Sequence, residues 1–459
     1  MVYSSLMFIY GFLPVALLLY YLTPKRFREY VMLFESMAFC CFISLYFFLY
    51  IAAYSIVNFL FGKTIGKLRK NEKLAAIPLT IGIIFDLIMI FGFRTKYFMW
   101  LHDMLHAPEG FYPIGISFFT LSAIGTLIDT YKGRIKADMS FVRYTLYIMF
   151  FPRLIMGPLL RYGVFAKVLD SRNENLTNIG IGMSLFIKGL AKKVIAADNL
   201  YMLYSAVRSS DVSSISAATA WTGITAYLFC LYFNLSGFAD MGTGIAYCFG
   251  LKFPQSFNYP LLSTRIKYFA ARWQSQVIQW LRRYITKPLY SACTKKWIRE
   301  IVFVGGWTLF GFWYTVSFNG VIWGLIMGIA LIIENYVLPE KVMKFTGIIY
   351  TFLVVILCTV FLSGDSLAFS VKYLLAMLGG NGVIADAKFF YLLKSYIVLL
   401  LITMYASTSL FRNMMVRSGK VKIHNIIAVA SPLIAVATLI ICTALISYSG
   451  SSDMILIYL

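Results

Sequence analysis

The sequence predicts an all-α polytopic membrane protein, and three observations predict it. Of its 459 residues 60% are hydrophobic and only 13% charged, about half the charged share of a soluble domain. Apolar runs of membrane-spanning length, about 20 residues as helix, recur from end to end. The charge is strongly basic, with 41 Lys and Arg against 19 Asp and Glu for a formal +22. It gathers in the short links PKRFRE (24–29), KLRKNEK (67–73) and KVLDSR (167–172). That is the positive-inside pattern of cytoplasmic loops, with attraction to anionic lipid as a second effect. Such a charge on a soluble protein would raise nucleic acid. No Arg-Gly repeat or aromatic-basic reading module accompanies it here, so membrane lipid is the expected partner and nucleic acid is not.

The opening MVYSSLMFIYGFLPVALLLYYLTP lacks a basic leader region and a small-residue cleavage site, so it reads as a retained first helix over 6–22. Further spans follow at 31–61 (one long helix or two short), 76–92, 111–129, 141–160, 179–196, 215–234, 237–250, 300–333, 344–362, 386–408 and 424–448. The total is about 11–12 membrane elements. Prolines 24, 78, 113, 152, 158, 254, 260 and 288 mark helix starts or breaks. No polar linker is long enough to separate one domain from another, so a single membrane domain is expected over 1–459. The seven cysteines show no CxxC or metal-finger spacing and read as small packing residues.

Several runs fit poorly as plain spans. PIGISFFTLSAIGTLIDTYKG (113–133) begins at a proline and holds Asp129, and FFPRLIMGPLLRY (150–162) packs two prolines, a glycine and Arg153 into thirteen residues. Broken helix at membrane depth survives only where protein buries it or water lines it. Both are therefore expected as re-entrant or short helices around a cavity, with interfacial connectors as the blander reading. LYFNLSGFADMGTGIAYCFG (231–250) places Asn234, Ser236 and Asp240 among aromatics. An intramembrane aspartate marks a functional site or pairs with a base from 265–287. Gly237, Gly242 and Gly244 equally serve close helix packing. In LSGDSLAFSVKYLLAMLGGNG (362–382) a polar interruption at Asp365 leads to an amphipathic segment.

Polar chemistry concentrates between Thr264 and Gly328. TRIKYFAARWQSQVIQWLRRYITKPLY carries Arg265, Lys267, Arg272, Arg282, Arg283 and Lys287 among aromatics, and feeds through SACTKKWIRE into the glycine-rich IVFVGGWTLFGFWYTVSFNGVIWGLIMG. Arg153, Arg161 and the arginines of 265–283 suit phosphate or carboxylate recognition, and equally suit interfacial anchoring. No nucleophile elbow, HExxH, Walker loop or dinucleotide fingerprint occurs. His102 and His106 flank Asp103 at a spacing able to bind metal, but no third ligand is near in sequence. A solvated loop is the better reading, and no metal is expected. His424 beside Lys420 and Lys422 reads as a helix-end residue.

These motifs carry a resemblance. PIGISFFTLSAIGTLIDTYKG, FFPRLIMGPLLRY, KGLAKKVIAADNL, YFNLSGFADMGTGIAYCFG, FPQSFNYPLLSTRIKYFAARW and LFGFWYTVSFNGVIWGLIMG resemble, in order and spacing, the bacterial branch of the membrane-bound O-acyltransferases over roughly residues 1–420. That branch includes the membrane proteins of alginate O-acetylation and teichoic acid D-alanylation. The resemblance implies a ring of membrane helices around a central funnel, where a cytosolic donor meets an extracytoplasmic acceptor. It places N-terminal helices at 1–110, the family core at 111–334 and C-terminal helices at 335–459, in a bacterial cytoplasmic membrane. For active members it implies an acyl thioester donor, on a small carrier protein or coenzyme A, with no tightly bound cofactor. The implied partners are a cytosolic acyl carrier and an extracytoplasmic acyltransferase or polymer-modifying protein.

The resemblance also implies catalytic residues, and here the sequence departs from the pattern. The family histidine of a Trp-His-Gly motif aligns with Tyr314, between Trp313 and Thr315. A second histidine, after Arg-Trp, aligns with Gln274, following Arg272 and Trp273. The usual aspartate before Ser-Gly aligns with Asn234, although Asp240 remains. The Gly-Gly-Asn after KPLY is missing, and the C-terminal Trp-Val-Phe-Phe-Arg pattern has faded to TVFLSGD. Candidate catalytic positions are thus Tyr314, Gln274, Asn234 and Asp240. Funnel or substrate candidates are Arg153, Ser236, Arg265, Arg272, Trp273, Arg282, Arg283, Trp313 and Asn319. Tyrosine, with an ordinary pKa near 10, is a poor base at neutral pH, and glutamine does not titrate.

The favoured expectation is a catalytically degenerate member of an envelope-polymer O-acylation system. An active divergent transferase is the first alternative, with Tyr314 as relay or covalent acceptor. A lipid or small-molecule transporter on the same ring is the second, although the internal repeats of many transporters are not evident.

Overall fold

A computed structural model describes residues 2–95, 108, 111–135, 139–409 and 421–449. Every regular element among them is helical. Among the described residues six helices are long and apolar enough to cross a bilayer: Leu45–Leu68, Glu72–Arg94, Phe318–Tyr336, Phe345–Ser363, Ala387–Ala406 and Ala430–Tyr448. Shorter apolar helices include Met7–Leu22, Ile116–Tyr131 and Leu367–Met377. The chain is a multi-span, all-α membrane protein. Packing divides it into two compact units: Met1–Gly189 with Phe238–Gln255 and Ile446–Leu459, and Leu190–Gly237 with Ser256–Leu445.

In the first unit, the run expected over 31–61 is two helices, α1 (Arg28–Ile43) and α2 (Leu45–Leu68). Ser44 breaks them with an extended backbone, and its hydroxyl caps α2 by accepting from the N–H of Tyr46 at 3.2 Å. The stretch at 113–133 is a continuous buried helix, α3 (Ile116–Tyr131). Three of its hydroxyls are satisfied inside the helix. Ser122, Thr126 and Thr130 each return a hydrogen bond to the carbonyl four residues back, at 2.8–2.9 Å. At 1.5 Å per residue α3 is about 24 Å long, short of a bilayer core.

The stretch at 150–162 is broken, as its prolines dictate. One helical turn, Phe151–Leu154, leads into irregular backbone that is buried as far as Leu160. Arg153 makes this burial tolerable. Its guanidinium donates to the carbonyls of Tyr147 (2.9 Å) and Pro158 (3.2 Å) and to the Ser122 hydroxyl (3.1 Å). It also lies over the Tyr147 ring at 4.4 Å. A side chain thus supplies hydrogen bonds that the interrupted helix cannot.

The spans expected at 215–234 and 237–250 form one 32-residue helix, α4 (Ala217–Cys248). No proline interrupts it, and its glycines serve contact rather than breakage. A Cβ on Gly242 would lie 2.4 Å from the Pro152 carbonyl oxygen, and one on Gly244 would lie 2.5 Å from that of Gly182. The basic links of this unit are partly neutralised. Arg143 pairs with Glu29 and Asp170 at 2.9 Å, Arg172 with Glu174 at 3.1 Å, and Arg28 with Glu174.

In the second unit, the run expected as one span over 300–333 is a hairpin of α5 (Lys296–Thr315) and α6 (Phe318–Tyr336). The turn falls at Val316, whose φ of 48° is uncommon for a β-branched residue. The next residue, Ser317, caps α6 by accepting from the N–H of Gly320 at 3.2 Å. The two helices approach through glycine. A Cβ on Gly311 would lie 2.1 Å from the Gly320 carbonyl oxygen, and one on Gly324 would lie 2.2 Å from that of Trp307. Preceding the hairpin, the basic segment breaks into Ile266–Arg272, Ser275–Leu281, a π-helical turn Arg282–Thr286 and Lys287–Ala292.

Candidate functional site

The basic segment meets α6 through a residue that the sequence reading passed over. Glu334 is 1% exposed, and its carboxylate accepts from the Ile266 backbone N–H at 2.5 Å. An acceptor there satisfies an orphan donor at the start of Ile266–Arg272. The available signal was an acid inside an otherwise apolar run, which is costly in a membrane unless paired. Asp86 in Glu72–Arg94 was missed for the same reason. It accepts from the Tyr54 hydroxyl at 2.6 Å and the Asn58 amide at 2.9 Å, both on α2.

Trp273 and Gln274 join the first two pieces of the basic segment. The Trp273 ring stacks on Phe269 at 5.4 Å, meets Phe257 edge-on at 5.5 Å, and lies 6.1 Å from Tyr232 of α4. This draws the stretch of α4 that carries Asn234 toward the stretch that carries Gln274. Gln274 adopts the left-handed conformation at φ 41° and is 3% exposed. Neither of its amide atoms has a hydrogen-bond partner among the described residues. The same holds for the amide of Asn234 and the hydroxyl of Ser236, both fully or nearly fully buried. Buried polar groups left so are rare and cost about 1–3 kcal/mol each unless a ligand or water completes them.

Tyr314 sits one turn before the hairpin bend and is 5% exposed. Its ring stacks on Trp323 at 6.0 Å with 22° between planes, and meets Phe310 at 6.0 Å and Trp313 at 6.3 Å. Asn319 lies across the turn and is occupied structurally, donating to the Gly364 carbonyl at 2.7 Å. Arg153 is likewise a buried brace. Of the other candidates, Arg282 is exposed, while Asp240, Arg265, Arg272 and Arg283 are half-buried. Arg283 lies over its neighbour Tyr284 at 5.7 Å. Asp365, read as a loop residue, pairs with Arg208 at 2.5 Å. His102, Asp103 and His106 lie outside the described residues.

The family model for the membrane-bound O-acyltransferases matches residues 6–370. A probable alginate O-acetylase AlgI of Azotobacter vinelandii is 33% identical over 349 residues, covering 73% of this chain and 69% of that protein. A peptidoglycan O-acetyltransferase of Helicobacter pylori is 28% identical over 429 residues, covering 83% and 81%. A teichoic acid D-alanyltransferase of Bacillus subtilis is 26% identical over 235 residues, covering 49% and 59%. The match takes in α3, the broken Arg153 segment, α4, the basic segment and the glycine hairpin. The chain is a bacterial multi-pass membrane protein that belongs to the membrane-bound O-acyltransferase family.

Proposed function

We propose that this chain is a catalytically degenerate O-acyltransferase homologue serving a cell-envelope polymer O-acylation system, where it holds a partner, passes an acyl donor, or binds polymer or lipid. The observation that carries the reading is Tyr314. At the position matching the family histidine stands a phenol packed against Phe310, Trp313 and Trp323, and a phenol is a poor general base at neutral pH. At the second matching position Gln274 cannot exchange a proton at neutral pH, and Asn234 replaces a carboxylate. Losing a general base typically costs about 100- to 10,000-fold. The names of the relatives support an envelope polymer as the acceptor class. In a system of this kind the donor is an acyl thioester, on a cytosolic carrier or coenzyme A, and an extracytoplasmic partner completes the modification.

One observation favours a second reading, an active divergent transferase. Gln274 combines a strained backbone with a buried amide that has no partner among the described residues, and such strain gathers at functional sites. In that reading Gln274 orients a substrate oxygen, Tyr314 relays a proton or accepts the acyl group, and a partner residue is the base. Complementation separates the two. In a strain lacking this chain, Tyr314→Phe should restore polymer O-acyl content to within twofold of the wild type. A fall of about 100-fold or more would establish the active reading.

A further inference from the structure

The basic segment and the hairpin enclose a cleft of about 970 Å³, at the upper end of the roughly 300–1,000 Å³ usual for small-molecule sites. Its two halves differ in chemistry. Lys267, Arg282 and Lys287 supply three cations, and no Asp or Glu is among the described residues lining it. The wall behind them is apolar, formed by Trp307, Phe310 and Leu331, each buried. Arg282 and Lys287 are exposed and enter no ion pair among the described residues. Their charge is available to a ligand.

The surroundings identify the medium at the mouth. Tyr268 is 45% exposed, Tyr290 42% and Trp297 61%, on the same short helices or beside them. Exposed aromatics interleaved with Lys and Arg are the signature of a membrane-water interface, where ring and cation sit at headgroup depth. On the basic side of the bilayer the anionic leaflet supplies the complementary charge. Neither Tyr314 nor Gln274 lines the cleft, so the inference does not depend on whether they catalyse.

We propose that this cleft binds one anionic phospholipid, with its phosphate among Lys267, Arg282 and Lys287 and an acyl tail along Trp307, Phe310 and Leu331. A zwitterionic lipid presents the same tail, but its cationic headgroup meets the three cations unfavourably. The assignment is therefore to anionic lipid specifically.

The test titrates the detergent-purified full chain with fluorescent phosphatidylglycerol, using phosphatidylcholine and coenzyme A as competitors. The expected result is saturable binding, at least tenfold weaker competition by phosphatidylcholine, and no displacement by coenzyme A. Replacing Lys267, Arg282 and Lys287 together with alanine should weaken binding on the order of a hundredfold, at about fivefold per charge. Ala271→Trp, at an exposed lining position, should block the cleft while leaving the core intact. This second variant keeps the test valid if the triple variant misfolds. Equal competition by phosphatidylcholine, or unchanged binding in both variants, would overturn the proposal. Displacement by coenzyme A at matched concentration would also overturn it, assigning the cleft to a soluble phosphate-bearing thioester.

Discussion

Tyr259, Gln274 and Val316 are the non-glycine residues with left-handed backbone among those described, and the costs of the last two differ in meaning. Val316 at φ 48° sits in the hairpin turn, where a side chain costs roughly 1–2 kcal/mol relative to a relaxed backbone. Val316→Gly should therefore raise the thermal midpoint of the purified protein, the net gain being about 0.5–1 kcal/mol after glycine's own entropy. Gln274 at φ 41° would gain from glycine in the same way. Its amide, however, is buried without a partner among the described residues, so that position is held for something other than the turn. Glu334 is the opposite case, a polar group retained because it is used. Glu334→Ala should lower stability by about 1–3 kcal/mol by leaving the Ile266 N–H without its acceptor, readable as a lower midpoint. Tyr314, Gln274 and Asn234 became candidates through their place in motifs. The sequence hid Glu334 and Asp86, because an acid within an apolar run gains its meaning only from a partner many residues away.

At the scale of elements, the hairpin is set by glycine contact rather than by its turn. Gly324 and Gly305 make a paired test, because a Cβ on Gly324 would meet the Trp307 carbonyl oxygen at 2.2 Å while Gly305 has nothing within 4 Å. Gly324→Ala should cost about 1–3 kcal/mol by overpacking. Gly305→Ala should be neutral or gain roughly 0.5–1 kcal/mol as an ordinary helix substitution. Asp386 starts another helix, Ala387–Ala406, accepting from the Phe389 N–H and the Thr219 hydroxyl at 2.8 and 2.7 Å. Burial pushes its carboxyl up, but bonds from Thr219, Phe389 and Ser216 outweigh this and hold it below the usual carboxylate range. A depressed folded value stabilises the fold above the unfolded pKa of about 3.9 and loses that stability as pH falls through the folded value. Asp386→Ala should thus cost about 1 kcal/mol at pH 7, with the difference from wild type narrowing below about pH 4. Element boundaries were legible where a polar link or most of the prolines marked them, but Pro78, expected at a helix start or break, lies inside the continuous helix Glu72–Arg94. The break at Ser44 was open in the sequence as the alternative of two short helices over 31–61, and Ser44 itself supplies the cap. The break at Val316 was not legible, since valine does not punctuate a helix and the cap comes from the following Ser317. In α3 the hydroxyls of Ser122, Thr126 and Thr130 are satisfied within their own helix, while Ser117 and Thr120 are buried without an intrahelical bond.

For the whole molecule, composition and basic links were enough to place the chain in a membrane, because burying so much apolar surface with so little charge has no soluble solution. The family also stood in the sequence, through motif order across α3, α4 and the hairpin. Side-chain roles did not follow from it. Arg153 and Asn319 look like substrate contacts in one dimension, and in three they brace broken backbone and the Gly364 carbonyl. Orientation gives a direct check. Cys293 is half-buried in the basic link before α5, while Cys40, Cys230, Cys248, Cys358 and Cys442 are buried. Cys41, the remaining one, is exposed on α1, so the labelling is done in a Cys41→Ser background. A membrane-impermeant maleimide should label Cys293 from the cytoplasmic side and leave it untouched in intact cells. Labelling in intact cells would reverse the assigned orientation.

The central claim is that the acyl-transfer machinery lacks its base, and turnover of an acyl thioester by the purified chain tests it most directly. Wild type should match a no-protein control, while a variant carrying Gln274→His with Tyr314→His should gain hydrolysis or transfer. Turnover by the wild type well above the control, lost in Tyr314→Phe, would contradict the account and make Tyr314 a catalytic residue.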